Sequence, residues 1–228
     1  MRRFFVARRR PDRGAIITGM FRDRTEAGGR LATEVADADL GSVAVLGVPR
    51  GGVIVAVPVA RAVGGVLDVV VPRKLGAPGN PELGVGAVAP NVTVIDEALV
   101  RRLGIGTEYL RLEAARQSLE IERRVRAYRG DRPPVSLAGA TAVIVDDGVA
   151  TGVTAIAAAR SVRRAGAGSV VFAAPVAPVA TAAKLADEAD RVIILETPRS
   201  FLAVGEWYGR FDQVSDEEVR AALAAFGG

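Results

Sequence analysis

The amino-acid sequence predicts an α/β fold, a central and mainly parallel sheet flanked by helices. From Phe21 onward, short runs rich in Val and Ile alternate with longer helical stretches, which is how strands joined by crossover helices read. One run, Ala142–Val145, is followed by two acids, a Gly/Thr turn and a helix, the order of a strand feeding a crossover. No internal repeat and no second domain is evident, so residues 20–228 are expected to form one domain.

Residues 1–19 precede the pattern. They hold six arginines against Asp12 alone and are expected to be a mobile basic tail. Asp23–Ala38 places Ala27, Leu31, Val35 and Ala38 on one helical face. Val43–Val48 reads as a buried strand. The turn Pro49-Arg50-Gly51-Gly52 follows, then an apolar segment to Val63 in which Pro58 predicts a kink or a short helix. Leu67–Val71 is the next strand, and Pro72–Gly84, dense in Pro and Gly, is expected to be a long loop. Val85–Ala89 and Val92–Ile95 suggest a hairpin around Pro90-Asn91. Thr107–Tyr128 is a long charged helix with Glu120/Arg124 and Glu122/Arg126 spaced i,i+4. After a break at Asp131–Pro134 come strand Ala142–Val145, helix Val153–Ala165, strand Ser169–Ala174, helix Val179–Ala189 and strand Arg191–Leu195. The last helix opens on the capping box Ser215-Asp216-Glu217-Glu218 and ends near Phe226.

Composition narrows the chemistry. The 228 residues include no Cys and no His, which excludes disulfides, thiolate nucleophiles, zinc ribbons, serine–histidine triads and imidazole bases. Carboxylates, hydroxyls, Arg, Lys, backbone amides and a hard cation such as Mg²⁺ remain. The net charge of +4 resides in the first 19 residues; the other 209 carry 24 basic and 25 acidic side chains. The body's charge therefore gives no support for a nucleic-acid face. No apolar run approaches the roughly 18 residues of a membrane span, and a cytoplasmic protein is expected.

The most informative stretch runs from Ala142 to Thr154. A buried strand ends in Asp146-Asp147, and a short Gly/Thr turn leads into a helix. Strand end, tight turn and helix N-terminus together form an anion site, because free N–H groups and the helix dipole favour a phosphate there. Thr151 and Thr154 add hydroxyl donors. Two carboxylates beside a phosphate make sense if they accept from neutral hydroxyls such as a ribose diol, or hold a cation that bridges to it.

This segment resembles the phosphoribosyl-diphosphate (PRPP) motif of type I phosphoribosyltransferases: strand, acidic pair, three variable residues, Thr-Gly-x-Thr. The resemblance implies that Asp146 and Asp147 bind the ribose hydroxyls and, indirectly through them, Mg²⁺. It further implies that Ala150, Thr151, Gly152, Val153 and Thr154 bind the 5′-phosphate. Gly47-Val48-Pro49-Arg50-Gly51-Gly52-Val53 resembles the family's diphosphate loop, assigning Arg50, Gly51 and Gly52 to the diphosphate. Val70-Val71-Pro72-Arg73-Lys74-Leu75-Gly76 resembles the strand-end Arg-Lys of the adenine and orotate members. Arg73 and Lys74 are thus candidates for both diphosphate binding and catalysis. Lys74 is one of only two lysines in the chain. The opening Phe21–Gly28 and the stretch Val204–Tyr208 are most similar to stand-alone bacterial phosphoribosyltransferase-like proteins of unassigned substrate.

In family terms Thr197–Gln213 is the C-terminal part of a small hood over the acceptor base. Trp207, Tyr208 and Phe211 either stack on that base or lock the segment onto the body. The stretch Gly76–Gly84 is expected to be a flexible lid that closes over PRPP. Glu82 is its sole carboxylate and either transfers a proton with the acceptor or solvates a surface turn. Ala150 stands where hypoxanthine–guanine members carry a third acid, and a second lysine after Lys74, present in orotate members, is missing. The partners implied are PRPP and an acceptor base, with homodimerisation left open and neither nucleic acid nor membrane. Two readings follow: an enzyme that transfers the phosphoribosyl group to a nitrogen acceptor with release of diphosphate, or a non-catalytic module that senses PRPP or a nucleotide.

Overall fold

A computed structural model describes residues 4–7 and 20–226. Six parallel strands form the main sheet in the order β1-β9-β8-β7-β2-β3, where β1 is Phe4–Ala7, β2 Val43–Gly47, β3 Val66–Val69, β7 Thr141–Val145, β8 Ser169–Val176 and β9 Arg191–Glu196. A second, antiparallel sheet of three strands, β4 (Arg73–Ala77), β5 (Asn80–Ala89) and β6 (Val92–Ile95), stands beside it.

Alternation along each strand sorts the core into two layers. Val143 and Val145 of β7 face a cluster with Val45, Val171, Ile193, Leu31, Val53 and Leu223; here pack helices α1 (Arg24–Ala36), α2 (Gly51–Val63) and α7 (Asp216–Ala224). Ala142 and Ile144 face the opposite cluster with Phe172, Ile194, Val162 and Leu185, covered by α5 (Val153–Arg164) and α6 (Val179–Ala186). Full burial of each such Val, Leu, Ile or Phe contributes about 1.5–3 kcal/mol relative to exposure.

Pro58 neither breaks nor shortens α2, which runs through it. The reason lies on α1: a Cβ at Gly28 would sit 2.5 Å from Pro58 Cγ and 2.6 Å from the Val55 carbonyl oxygen, so glycine lets the two helices close over the proline ring. Helix α7 carries the predicted capping box, Ser215 and Glu218 bonding each other's backbone N–H. A short helix, α3 (Glu97–Leu103), precedes α4 (Thr107–Arg129) and was not signalled by periodicity.

Two further expectations are corrected. The stretch 72–84 is not a long flexible loop: it forms β4 and the first half of β5, joined by a tight turn at Pro78-Gly79. The glycines that suggested a loop serve the pairing instead. Gly79 takes φ +72° in the turn, and a Cβ at Gly76 would lie 2.6 Å from Pro81 Cα where the ladder shifts register. Leu75 and Ala77 turn inward and are buried. Secondly, four residues of the expected tail are not a tail, since Phe4–Ala7 pairs in parallel with Arg191–Ile194 at the sheet edge. The rest of that segment, 1–3 and 8–19, lies outside the described residues.

Asp68 anchors α4 to the sheet. Buried on β3, its carboxylate accepts from the Val69 N–H at 2.8 Å, Arg129 Nε at 3.1 Å and the Val135 N–H at 3.1 Å, fixing both the end of α4 and the chain entering β7. Removing one partner of a buried pair leaves the other charge uncompensated. Asp68→Ala is expected to cost about 3–5 kcal/mol by urea denaturation; a loss below about 1 kcal/mol, the range of an exposed pair, would show that Asp68 does not anchor the helix.

Candidate functional site

The site is built where two neighbouring strands end. β2 and β7 pair in register from Val43/Thr141 to Gly47/Val145, and the Val48 N–H extends the ladder by donating to the Val145 carbonyl at 2.8 Å. The chain then leaves β2 through Val48-Pro49-Arg50, with a cis Pro49–Arg50 peptide, into α2, while β7 runs on into Asp146-Asp147. A Cβ at Gly52 would lie 2.7 Å from the Val145 carbonyl oxygen and 2.9 Å from Asp146 Cα, and one at Gly51 would overlap Asp147 Oδ2 and approach Arg24 Nε to 2.5 Å. Glycine is required at both positions because the loop lies directly on the acid pair.

Helix α2 begins after Arg50 and α5 begins after Gly152, and neither N-terminus is capped by a side chain. Neither helix therefore has a capping side chain from its own N-cap residue on its first N–H groups. Gly152 sits at φ +84°, a left-handed conformation that suits glycine. The turn before α5 is braced from α6: the Thr181 hydroxyl donates to the Ala150 carbonyl at 2.6 Å. Thr151 is exposed, and Val153 and Thr154 are half-buried at the head of the helix. The predicted phosphate turn, the acid pair and Gly51-Gly52 therefore converge at one end of the sheet.

The two acids differ. Asp146 Oδ1 accepts from the Asp147 N–H at 2.9 Å, and burial, followed by the adjacent charge of Asp147, pushes its carboxyl well above the usual range. Burial also raises Asp147, but Arg24 opposes this, with Nε donating to Asp147 Oδ2 at 2.7 Å. The Tyr208 hydroxyl donates to the Asp147 backbone carbonyl.

The other predicted residues lie around this centre and are engaged elsewhere. Arg50 leans to α7, its Nη1 3.8 Å from Asp216 Oδ1. Arg73 Nε donates to Gln117 Oε1 of α4 at 3.0 Å, and burial, reinforced by nearby Arg124, lowers its guanidinium from its usual value. Lys74 and Glu82 bond each other across the β4–β5 hairpin at 3.0 Å, with Glu82 90% exposed. Of the three aromatics, Tyr208 is turned into the body at 6% exposure, its ring tilted against Phe21 and Phe211 at 5.5 and 5.0 Å, and so locks the segment rather than offering a face to a ligand. Trp207 is half-buried against the core, and Phe211, 37% exposed, lies under the Arg24 guanidinium at 3.9 Å. Sequence reasoning missed Arg24 and Thr181. Arg24 left one signal: a cation at the first position of a helix, the end the dipole disfavours.

Two carboxylates offer a hard oxygen set, but among the described residues no cluster of three or more Asp, Glu, His or Cys could hold a metal ion. The pair fits a magnesium ion whose shell a ligand's own oxygens complete, as Mg²⁺ commonly binds through one or two carboxylates and substrate phosphates. No described helix is long and apolar enough to cross a membrane.

Known proteins resemble this chain along most of its length. The model of the phosphoribosyl transferase domain matches residues 22–204. Two Mycobacterium tuberculosis proteins, from strains CDC 1551 / Oshkosh and H37Rv, bear names containing the words phosphoribosyl transferase and are each 44% identical over 205 residues, 90% of this chain. The alignment covers 46% of their length, so the chain spans about half of these curated relatives. The crystal structure of TT1426 from Thermus thermophilus is similar with TM-score 0.78 and 44% identity, over 91% of this chain and 99% of that one.

A carboxyl raised by burial favours folding when protonated, and that contribution is lost as pH rises above the unfolded value of about 4 toward the raised folded value. Asp146→Asn cannot ionise. It is expected to melt about 2–4 °C or more above wild type at pH 7–8, with the difference closing toward pH 4; equal melting at every pH would show that ionised Asp146 carries no burial cost.

Proposed function

The chain belongs to the phosphoribosyl transferase domain family, and on that premise we propose that it binds PRPP with Mg²⁺ and transfers the phosphoribosyl group to a nitrogen acceptor, a nucleobase or related base, releasing diphosphate. One observation carries the reading: two helix N-termini without side-chain caps lie beside a half-buried acid pair, at the ends of neighbouring strands. A ligand with a neutral diol between two phosphate-bearing ends complements that arrangement.

In this reading Asp146 and Asp147 accept from the ribose hydroxyls. The backbone of 150–154 with the Thr151 and Thr154 hydroxyls holds the 5′-phosphate, and the amides of Gly51 and Gly52 hold the diphosphate. Arg50, Arg73 and Lys74 supply counter-charge by leaving their present partners. Mg²⁺ when bound neutralises diphosphate charge. In the transfer the bond from C1′ to the diphosphate oxygen breaks, the acceptor nitrogen bonds to C1′, and the nitrogen's proton leaves to a carboxylate such as Glu82 or to water. The transition state is oxocarbenium-like, so the protein's work is alignment and stabilisation of the leaving anion. Trp207 and Phe211 are the aromatic candidates beside the acceptor.

The second reading, a sensor of PRPP or a nucleotide, draws on Lys74 and Glu82: two of the three groups nominated for catalysis neutralise each other. Incubation with PRPP, Mg²⁺ and a panel of bases decides between them. Diphosphate release with any base supports transfer, binding without release supports sensing, and no PRPP binding overturns both transfer and PRPP sensing.

Asp147→Asn is expected to weaken PRPP roughly 10- to 150-fold, since a hydrogen bond to a charged group is worth about 1.5–3 kcal/mol; affinity within about twofold of wild type by calorimetry would remove the acid pair from the site. If Glu82 moves the proton, Glu82→Gln lowers turnover by about 10²-fold or more with PRPP affinity unchanged. Wild-type turnover would assign Glu82 to the hairpin surface alone.

A further inference from the structure

Arg24 joins three things that no other described side chain joins. Its Nε donates to Asp147 Oδ2 at 2.7 Å, its Nη1 donates to the Asp212 carbonyl at 2.7 Å, and its guanidinium lies 3.9 Å over the Phe211 ring. Both members of the ion pair are largely buried, with side chains 12% and 16% exposed. A planar fork with donors on two edges and a π face can make all three contacts at once, which a lysine ammonium cannot.

The backbone around it is already stitched to the hood. The Phe21 N–H donates to the Trp207 carbonyl at 2.9 Å, the Gly209 N–H to the Phe21 carbonyl at 2.7 Å and the Arg210 N–H to the Arg22 carbonyl at 2.9 Å. The chain entering α1 and residues 207–210 therefore move together; Arg24 ties that unit to the Asp147 carboxylate, and the Tyr208 hydroxyl ties it to the Asp147 backbone carbonyl. Its place at the first position of α1, against the helix dipole, has a local cost with no local return.

We infer that Arg24 is a positioning residue that couples the acid pair to the hood, so that what occupies Asp147 is felt at residues 204–212. A ribose hydroxyl donating to Asp147 competes with Arg24 Nε for the same oxygen. The guanidinium then keeps its hold on Phe211 and Asp212 alone, and the hood is free to settle on an acceptor. Only the ligand half of this rests on the PRPP reading.

The test is amide hydrogen exchange at residues 204–212 in the full chain, with α3 amides as an internal control. Without ligand, Arg24→Met and Asp147→Ala are each expected to speed exchange in the hood, by about tenfold or more. The double variant is expected to go no further than the faster single one. Asp147→Ala is the decisive arm. It leaves intact the backbone carbonyl that Tyr208 holds, and an effect on the hood that adds nothing in the Arg24→Met background passes through Arg24. Unchanged hood exchange in Asp147→Ala, or additive effects in the double variant, would overturn the coupling; Arg24→Lys serves in place of Arg24→Met if the latter does not fold. With PRPP and Mg²⁺, wild type is expected to change exchange at 204–212 and Arg24→Met is not, at ligand concentrations where calorimetry shows both saturated. An equal response in Arg24→Met overturns the coupling as well. Failure of wild type to bind PRPP would overturn the proposed function, while the ligand-free arm would still decide the role of Arg24.

Discussion

The candidate site depends on one close approach. β2 and β7 are hydrogen-bonded neighbours, so the turn leaving one strand must cross the residues leaving the other. There is room for this only because residues 51 and 52 have no side chain; a methyl group at either would enter the acid pair or the strand end beneath it. The same crossing brings two helix N-termini and two carboxylates to one end of the sheet. Everything further out, including the hairpin, α4 and the hood, modifies a centre that the paired strand ends already define.

The acid pair is expensive to keep. Burial raises both carboxyls, and the adjacent charges make the cost worse for Asp146. The surrounding structure offsets this with one N–H to Asp146 and one guanidinium to Asp147. A purely structural turn would not concentrate two carboxylates there. The proposed function gives that cost a use, since hydroxyls and a cation would bind the ionised pair.

Much of this was legible in the sequence. The parallel strands appeared as Val/Ile runs because they are buried on both faces, and Asp146-Asp147 with the turn to Thr154 stood out because strand, acids and glycine occur in order. What escaped was long-range. The β4–β5 hairpin looked like a loop because Gly76, Gly79 and Pro81 are loop residues by composition, and only the pairing reveals that they serve strand contact. Phe4–Ala7, an apolar run amid arginines, finds its partner in β9, nearly the whole chain away. Arg24 was one of 30 basic residues. Its place at the first turn of a helix marks it as unusual, but nothing local links it to Asp147, 123 positions on. Tyr208 matched a stacking residue by type and proves to be held inside by Phe21 and by its bond to the Asp147 carbonyl.

The most direct measurement is the affinity of Gly51→Ala for PRPP with Mg²⁺, taken by calorimetry beside a melting curve. If the close approach of the two strand ends builds the site, the added methyl displaces Asp147 and Arg24. Affinity then falls by about tenfold or more while the protein still melts cooperatively. Wild-type affinity in Gly51→Ala would contradict that construction of the site.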